Sequence, residues 1–251
     1  MRCSLYVEGN SGERVVIDTG PEFRLQALNA GIGGLDAVFL THTHADHIHG
    51  LDDIRPLSWE KTIPIYGSNH AKEEFEERFS YIFRETQRGG GKPKIEFTAV
   101  NRPVLLGGLI LTPIPIMHGN IAIFGWKITE NTNKTACGLY SASIVYLTDC
   151  SYISENSYAL IAEKGPPEIA IIGGLRKRSH STHFNFEEAL YAGIKIGAKK
   201  VFLTHICHDY SHREIEEYCA NFCQEQATTA VLAPAWDGLE LGFEATDGSS
   251  P

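Results

Sequence analysis

Residues 39–57 read FLTHTHADHIHGLDDIRPL, and within them His42, His44, Asp46, His47, His49, Asp52 and Asp53 fall inside twelve consecutive positions. An apolar run, LDAVFL (35–40), leads straight into these polar side chains, as a buried strand does where it emerges from a sheet. His42 and His44 are two apart in extended chain, so their imidazoles can point to one side, whereas Asp46 and His47 sit where the chain turns into a helix. Imidazole and carboxylate together suit zinc, manganese or iron. With no thiolate inside the motif, a closed structural zinc site is not expected there, and a catalytic ion must keep one position open for water.

The same placement recurs along the chain. His118 closes LILTPIPIMH (109–118), Asp149 follows SIVYL (143–147), and His205 follows KKVFLT (199–204). The VFLTH of residues 38–42 returns at 201–205, which suggests two halves of similar design. In a layered α/β protein, strand ends that share one edge gather their first loop residues around a common cleft.

Apolar runs at 4–9, 14–20, 35–42, 63–68, 95–100, 109–118, 123–129, 143–150, 168–175, 199–205, 230–235 and 239–243 read as strands. Helical patterns cover 22–31, the stretch after His47, 70–86, 184–197 and 211–226, the last opened by a capping box from Ser211 to Glu214. GNSGE (9–13), RGGGKPK (88–94) and TENTNKTACG (129–138) read as connections, none long enough to separate domains, so residues 1–251 are expected to form a single domain.

A net charge of −9 disfavours a general affinity for nucleic acid and leaves a small ligand as the expected partner. The six cysteines, Cys3, Cys137, Cys150, Cys207, Cys219 and Cys223, form no CxxC pair and read as reduced thiols. Cys150, beside Asp149, and Cys207, beside His205, read as small packing residues, and Cys219 with Cys223 as one buried helical face. Without a signal peptide or a long apolar segment, the expected location is the cytoplasm, with no membrane partner.

HTHADH (42–47), placed after an apolar strand and followed in order by His118, Asp149 and His205, resembles the signature of the metallo-β-lactamase fold. The chain is most similar to one branch, the cyclic phosphodiesterases related to phosphoribosyl 1,2-cyclic phosphate phosphodiesterase. The likeness rests on DTGPEFRLQAL (18–28), GLDDIRPL (50–57) followed by IPIYG, PIPIMHG (113–119), YLTDC (146–150), HSTHFNFEEAL (180–190) and LTHICH (203–208).

The resemblance implies a four-layer αββα sandwich with mixed sheets and two divalent ions, zinc or manganese. His42, His44 and His118 would hold one ion, Asp46, His47 and His205 the other, and Asp149 would bridge. It further implies hydrolysis of a small phosphodiester, cyclic ones included, by a hydroxide shared between the ions, with Asp46 orienting it. His183 is the expected catalytic histidine facing the phosphate, aided by the N-terminus of the helix it precedes. Homodimers are common in the fold and one is compatible with this chain.

Rival functions are a tRNA 3′ endonuclease like RNase Z, for which 70–92 would have to serve as the gripping arm, a thioester or lactone hydrolase, and a non-catalytic metal-binding protein. Relatives in the branch commonly begin with a further strand and a cysteine-bearing segment that holds a structural zinc; the present sequence starts after that point, and Cys3 cannot replace such a site. Asp52 and Asp53 are expected either on the helix surface or as carboxylate support for a ligand histidine, with Asp52 slightly preferred for support. One or more of Arg176, Lys177 and Arg178 is expected to contact phosphate. His49 is expected to pack or meet solvent, His70, His180 and His212 to lie on the surface, and His208 stays open between the cleft and a structural contact.

Overall fold

The parallel strands that carry the expected donors are apolar throughout because both of their faces are covered. β9 (Ser143–Leu147) and β10 (Ile169–Gly173) are buried at every position, whereas the edge strand β1 (Leu5–Glu8) has no fully buried residue. A computed structural model describes residues 1–85, 91–130 and 142–243. Cys137 and most of the connections expected at 88–94 and 129–138 lie outside the described residues.

One sheet has the order β1, β2 (Arg14–Ile17), β3 (Ala37–Phe39), β4 (Ile63–Gly67) and β5 (Ile95–Ala99), parallel except for the β1–β2 hairpin. The other runs β12 (Val231–Pro234), β11 (Lys200–Thr204), β10, β9, β8 (Ile121–Glu130), β7 (Leu109–His118) and β6 (Val104–Leu106). It is parallel from β12 to β9 and antiparallel from β9 to β6. Both sheets are mixed, as expected.

Three apolar clusters separate four layers. Ile17 and Phe39 of the first sheet meet Leu111, Trp126 and Tyr146 of the second in the inter-sheet core. Outside the first sheet, Phe23 of α1 (Phe23–Asn29) and Phe75 of α3 (Asn69–Arg78) cover Val38 and Ile65. Outside the second, α5 (Glu155–Ala162), α6 (Phe186–Ile196) and α7 (His212–Glu225) cover Val145, Ile172 and Leu203. The αββα sandwich is therefore present. No helix among the described residues is long and apolar enough to cross a membrane.

Several elements depart from the sequence reading. β6 was not expected; its hairpin to β7 turns on Gly107 at φ 55°, where a side chain would be strained. Residues 239–243 form no strand. The chain turns back with Leu239 N–H donating to Trp236 O, and Leu239 and Leu241 bury against the inter-sheet core without a ladder partner. The helix α5 was missed, although Ser154 caps it by accepting from Ser157 N–H. The 70–86 pattern breaks at Phe79 into α3 and α4 (Ser80–Phe83). After α2 (Ala45–Ile48), the chain continues as a 3₁₀ helix, Leu51–Ser58, because Pro56 lacks the N–H an α-helix would use.

Between α2 and that 3₁₀ helix, backbone packs directly on backbone. Gly50 N–H donates to Thr19 O at 2.9 Å and Thr19 N–H to His47 O at 2.7 Å, which ties the loop after β2 to the HTHADH turn. A Cβ on Gly50 would lie 2.0 Å from Gly20 O and 2.8 Å from Phe23 Cβ. Gly50→Ala must push these segments apart, and we expect it to cost about 1–3 kcal/mol in chemical denaturation and to lower metal uptake together with stability.

Candidate metal centre

Every expected donor lies at the end of a strand, in the turn that follows or, for Asp46 and His47, in the short helix α2, and three strand-end residues of this region share an uncommon backbone state. Asp18 after β2, Asp149 after β9 and His205 after β11 have φ of 61°, 52° and 53°. Left-handed backbone costs a non-glycine residue on the order of 1 kcal/mol or more. Here it turns each side chain back over its sheet edge toward a common point.

Asp149 stands at that point, with a side chain only 3% exposed. Its Oδ1 lies 3.2 Å from both His47 Nε2 and His205 Nε2. Its Oδ2 lies 3.7 Å from His42 Nε2 and 3.9 Å from His118 Nε2. His44 completes the second group, in which His42, His44, His118 and Asp149 each place a donor atom within 4.8 Å of the others. Asp46 joins the first group through Oδ2, at 3.5 Å from His205 Nε2 and 3.6 Å from His47 Nε2. Such separations suit donors around one ion with bonds of about 2.0–2.2 Å. The structure thus brings His42, His44, Asp46, His47, His118, Asp149 and His205 together as two donor sets that share a carboxylate.

The tautomers fit a metal as well. His47 Nδ1 donates to Asp18 Oδ2 at 2.8 Å, and His118 Nδ1 donates to Thr182 O at 2.7 Å. Thr41 Oγ1 gives its proton to Asp18 Oδ2 at 2.7 Å, so it accepts from His42 Nδ1 at 3.0 Å. Each ring is fixed from behind with Nε2 facing the centre, and His42 Nε2 and His47 Nε2 are buried without a hydrogen-bond partner. These unsatisfied atoms are what a divalent ion would coordinate.

Asp18 is the supporting residue that sequence reasoning missed. It is fully buried, accepts Thr41 N–H at 2.9 Å besides the bonds above, and anchors both His42 and His47. The signal was present: Asp18 follows an apolar strand as Asp149 does. Asp52, expected in this role, is exposed and accepts from the Tyr81 hydroxyl, because the 3₁₀ helix carries it to the surface.

His183 lies beside the centre, with Nε2 at 3.2 Å from Asp149 Oδ2 and its ring near those of His118 and His205. His180, expected to be an ordinary surface residue, reaches it instead, with 3.1 Å between the two Nδ1 atoms. The N-terminus of α6 is not free to assist His183, since Asn185 and Glu188 close it in a capping box. Lys177 sits over the rings of Tyr210 and Tyr218 and Arg178 faces Asp209, while the Nε of Arg176 is buried without a partner. His49 and His208 are exposed, and exposed His70 and His212 pair with Glu74 and Glu216. Cys150 and Cys219 are buried in the core and Cys223 is half-buried, its thiol donating to Thr228 O. A small cleft of about 80 Å³ opens from His42 and His44 between Ser68, His70, Glu74, Arg78 and Ile121.

The electrostatics separate the two donor sets. Burial opposes charge on His47, but Asp18 and Asp149 outweigh it and hold the imidazole well above its ordinary value. Burial and then His47 push His42 well below its ordinary value, and burial pushes His118 down. The hydrogen bond from His205 holds Asp46 below the usual carboxylate range. Burial opposes ionisation of Asp149, but His183, His47 and His205 hold its carboxyl lower still.

Two outcomes follow. Asp18→Asn should keep the fold by circular dichroism and lose about 10–100-fold in metal affinity; unchanged affinity would remove Asp18 from the centre. A proton competes for His47 from above its ordinary value downward, whereas at His42 and His118 competition begins only below theirs. Metal titrations from about pH 7.5 to about pH 5.5 should therefore show the set of Asp46, His47 and His205 emptying first, and simultaneous loss would contradict this order.

Comparison with known proteins agrees with this geometry. Residues 13–206 match the family model described as the beta-lactamase superfamily domain. Over 210 residues the chain is 33% identical to a protein named octanoyltransferase from Porphyromonas gingivalis; this covers 82% of the chain but only 39% of that longer relative. It is 24% identical to the probable metallo-hydrolase YhfI of Bacillus subtilis over 81% of the chain and 79% of the relative. Among solved structures, a diphosphatase from the PhnP family superposes with a TM-score of 0.77 and 32% identity, covering 97% of this chain and 85% of that one. The chain belongs to the beta-lactamase superfamily and has the αββα fold of its metal-dependent hydrolases.

Proposed function

We propose that this protein hydrolyses small phosphodiesters, cyclic ones included, with two divalent ions of the zinc or manganese class. The observation that carries the reading is His183, a histidine outside both donor sets whose Nε2 faces the carboxylate common to them. Similarity to the PhnP-family diphosphatase supports a phosphorus centre as the site of attack. Two ions held by these donors would supply hydroxide at neutral pH and neutralise charge developing on phosphorus.

The chain's own residues do the rest. His42 and His44 line the side of the centre that opens into the cleft, so the non-reacting part of the substrate lies between Ile121 and Arg78. Asp46, half exposed at the rim, orients the attacking oxygen by accepting its hydrogen. His183 hydrogen-bonds the phosphate and gives the leaving oxygen its proton, and His180 and Thr182 Oγ1 at 2.9 Å hold its other nitrogen. The loop carrying it is set by the bond from His118 Nδ1 to Thr182 O, so a donor of the centre also positions the acid.

The rivals fare differently. Residues 69–83 pack Ala71, Phe75 and Ile82 into the core, which opposes their use as a tRNA-gripping arm. A complete set of seven donors opposes a non-catalytic role. An acyl substrate is the second reading, favoured by the 33% identity to part of an octanoyltransferase.

Metal analysis with turnover of bis-p-nitrophenyl phosphate, an octanoyl thioester and a lactone separates these readings. About two metals per chain and phosphodiester-only turnover is the expected result, thioester-only turnover selects the acyl reading, and metal without turnover selects the binding role. His183→Ala should retain both metals and lower phosphodiesterase kcat by about 10²–10⁴-fold; loss of a metal would make His183 a ligand instead.

A further inference from the structure

We infer that Cys3 is an additional, soft ligand of the second ion, the one held by Asp46, His47 and His205, and that it biases this position toward zinc over manganese. The inference rests on the metal-centre part of the proposed function. Cys3 precedes β1, and its Sγ lies within 4.8 Å of the donor atoms of His47, Asp149 and His205, all of which are within that distance of one another. Among the described residues no other sulfur belongs to either donor set.

Two buried groups beside the sulfur lack partners in a way that a bound ion and a thiolate would repair. His47 Nε2 is fully enclosed and makes no hydrogen bond. The Tyr146 hydroxyl on β9, 1% exposed, neighbours the Cys3 thiol but makes no well-formed hydrogen bond to it. A buried hydroxyl with nothing to donate to costs about 1–3 kcal/mol. Binding of an ion at Sγ and His47 Nε2 would release the thiol proton and the Nε2 proton of His47 to solvent, and the thiolate would accept the Tyr146 O–H. Thr148 Oγ1, 3.3 Å from Sγ, gives its own proton to Asp149 Oδ1 and so accepts from the Cys3 thiol in the protein without an ion. The set formed by His42, His44 and His118 has only nitrogen and oxygen donors, so the two positions differ in chemical softness. Thiolate selects zinc against manganese, which prefers oxygen and nitrogen.

X-ray absorption at the zinc edge of the zinc-loaded full chain tests the assignment. One sulfur scatterer per two zincs at about 2.3 Å is expected, and its absence from Cys3→Ser assigns it. In the cobalt-loaded protein a thiolate-to-cobalt charge-transfer band should appear and vanish in Cys3→Ser. That variant should lose at least tenfold in zinc affinity at one position, with manganese affinity unchanged. Two zincs with a pure nitrogen and oxygen shell in the native chain would overturn the role of Cys3 and leave the hydrolase reading standing, whereas no bound metal would overturn both. The native measurement decides even if Cys3→Ser fails to fold.

Discussion

The centre depends on a single constraint: Asp149 is an ionised carboxylate buried at the meeting of the strand ends. A charge taken from water costs several kcal/mol unless it is compensated. The compensation comes from three histidines, His47 and His205 on Oδ1 and His183 on Oδ2. In the metal-free protein the raised proton affinity of His47 supplies part of that positive charge. Divalent ions would replace shared protons in a ring of donors already shaped for them, with little rearrangement of the backbone.

That arrangement explains why strain is stored where it is. Asp18, Asp149 and His205 adopt left-handed backbone, and all three leave parallel strands at the same edge of the sandwich. Ordinary extended backbone would carry each side chain onward into its loop. The strain is held by the flanking cores, where β9, β10 and β11 are pinned by α6 and α7, and by the Thr19–His47 and Gly50–Thr19 backbone bonds beneath α2. Removing space at Gly50 therefore acts on the site through the scaffold, not through a ligand.

Much of this was legible because donors after apolar strands report topology as well as chemistry. A parallel strand buried on both faces reads as a continuous apolar run, and its first polar residue marks the edge. His42, His118, Asp149 and His205 were found that way, and the layered α/β class followed from alternating strands and helices. The failures have local causes. LELGF has strand composition, but Leu239 and Leu241 pack against the inter-sheet core and the chain turns back through Leu239 N–H to Trp236 O instead of joining a ladder. Asp52 was preferred over Asp53 because GLDD resembles the branch, and Asp18 was not weighed: its bond to His47 spans 29 residues and forms only when β2 and β3 pair side by side. His180 was dismissed because nothing in the sequence says that its loop folds back over the centre.

The donor sets do not by themselves choose between phosphorus and carbonyl carbon, since both reactions need an activated water and a stabilised oxyanion. What differs is the leaving group. An alkoxide expelled from phosphorus needs a proton at the moment of bond cleavage, whereas a thiolate leaves without one. A histidine close to the shared carboxylate is therefore an asset to a phosphodiesterase and superfluous to a thioesterase. In this chain His183 is held by Thr182 and His180, and its loop is tied to His118. A side chain so constrained beside the reacting centre is better explained by proton delivery to an alkoxide than by packing, which argues against a thioester substrate.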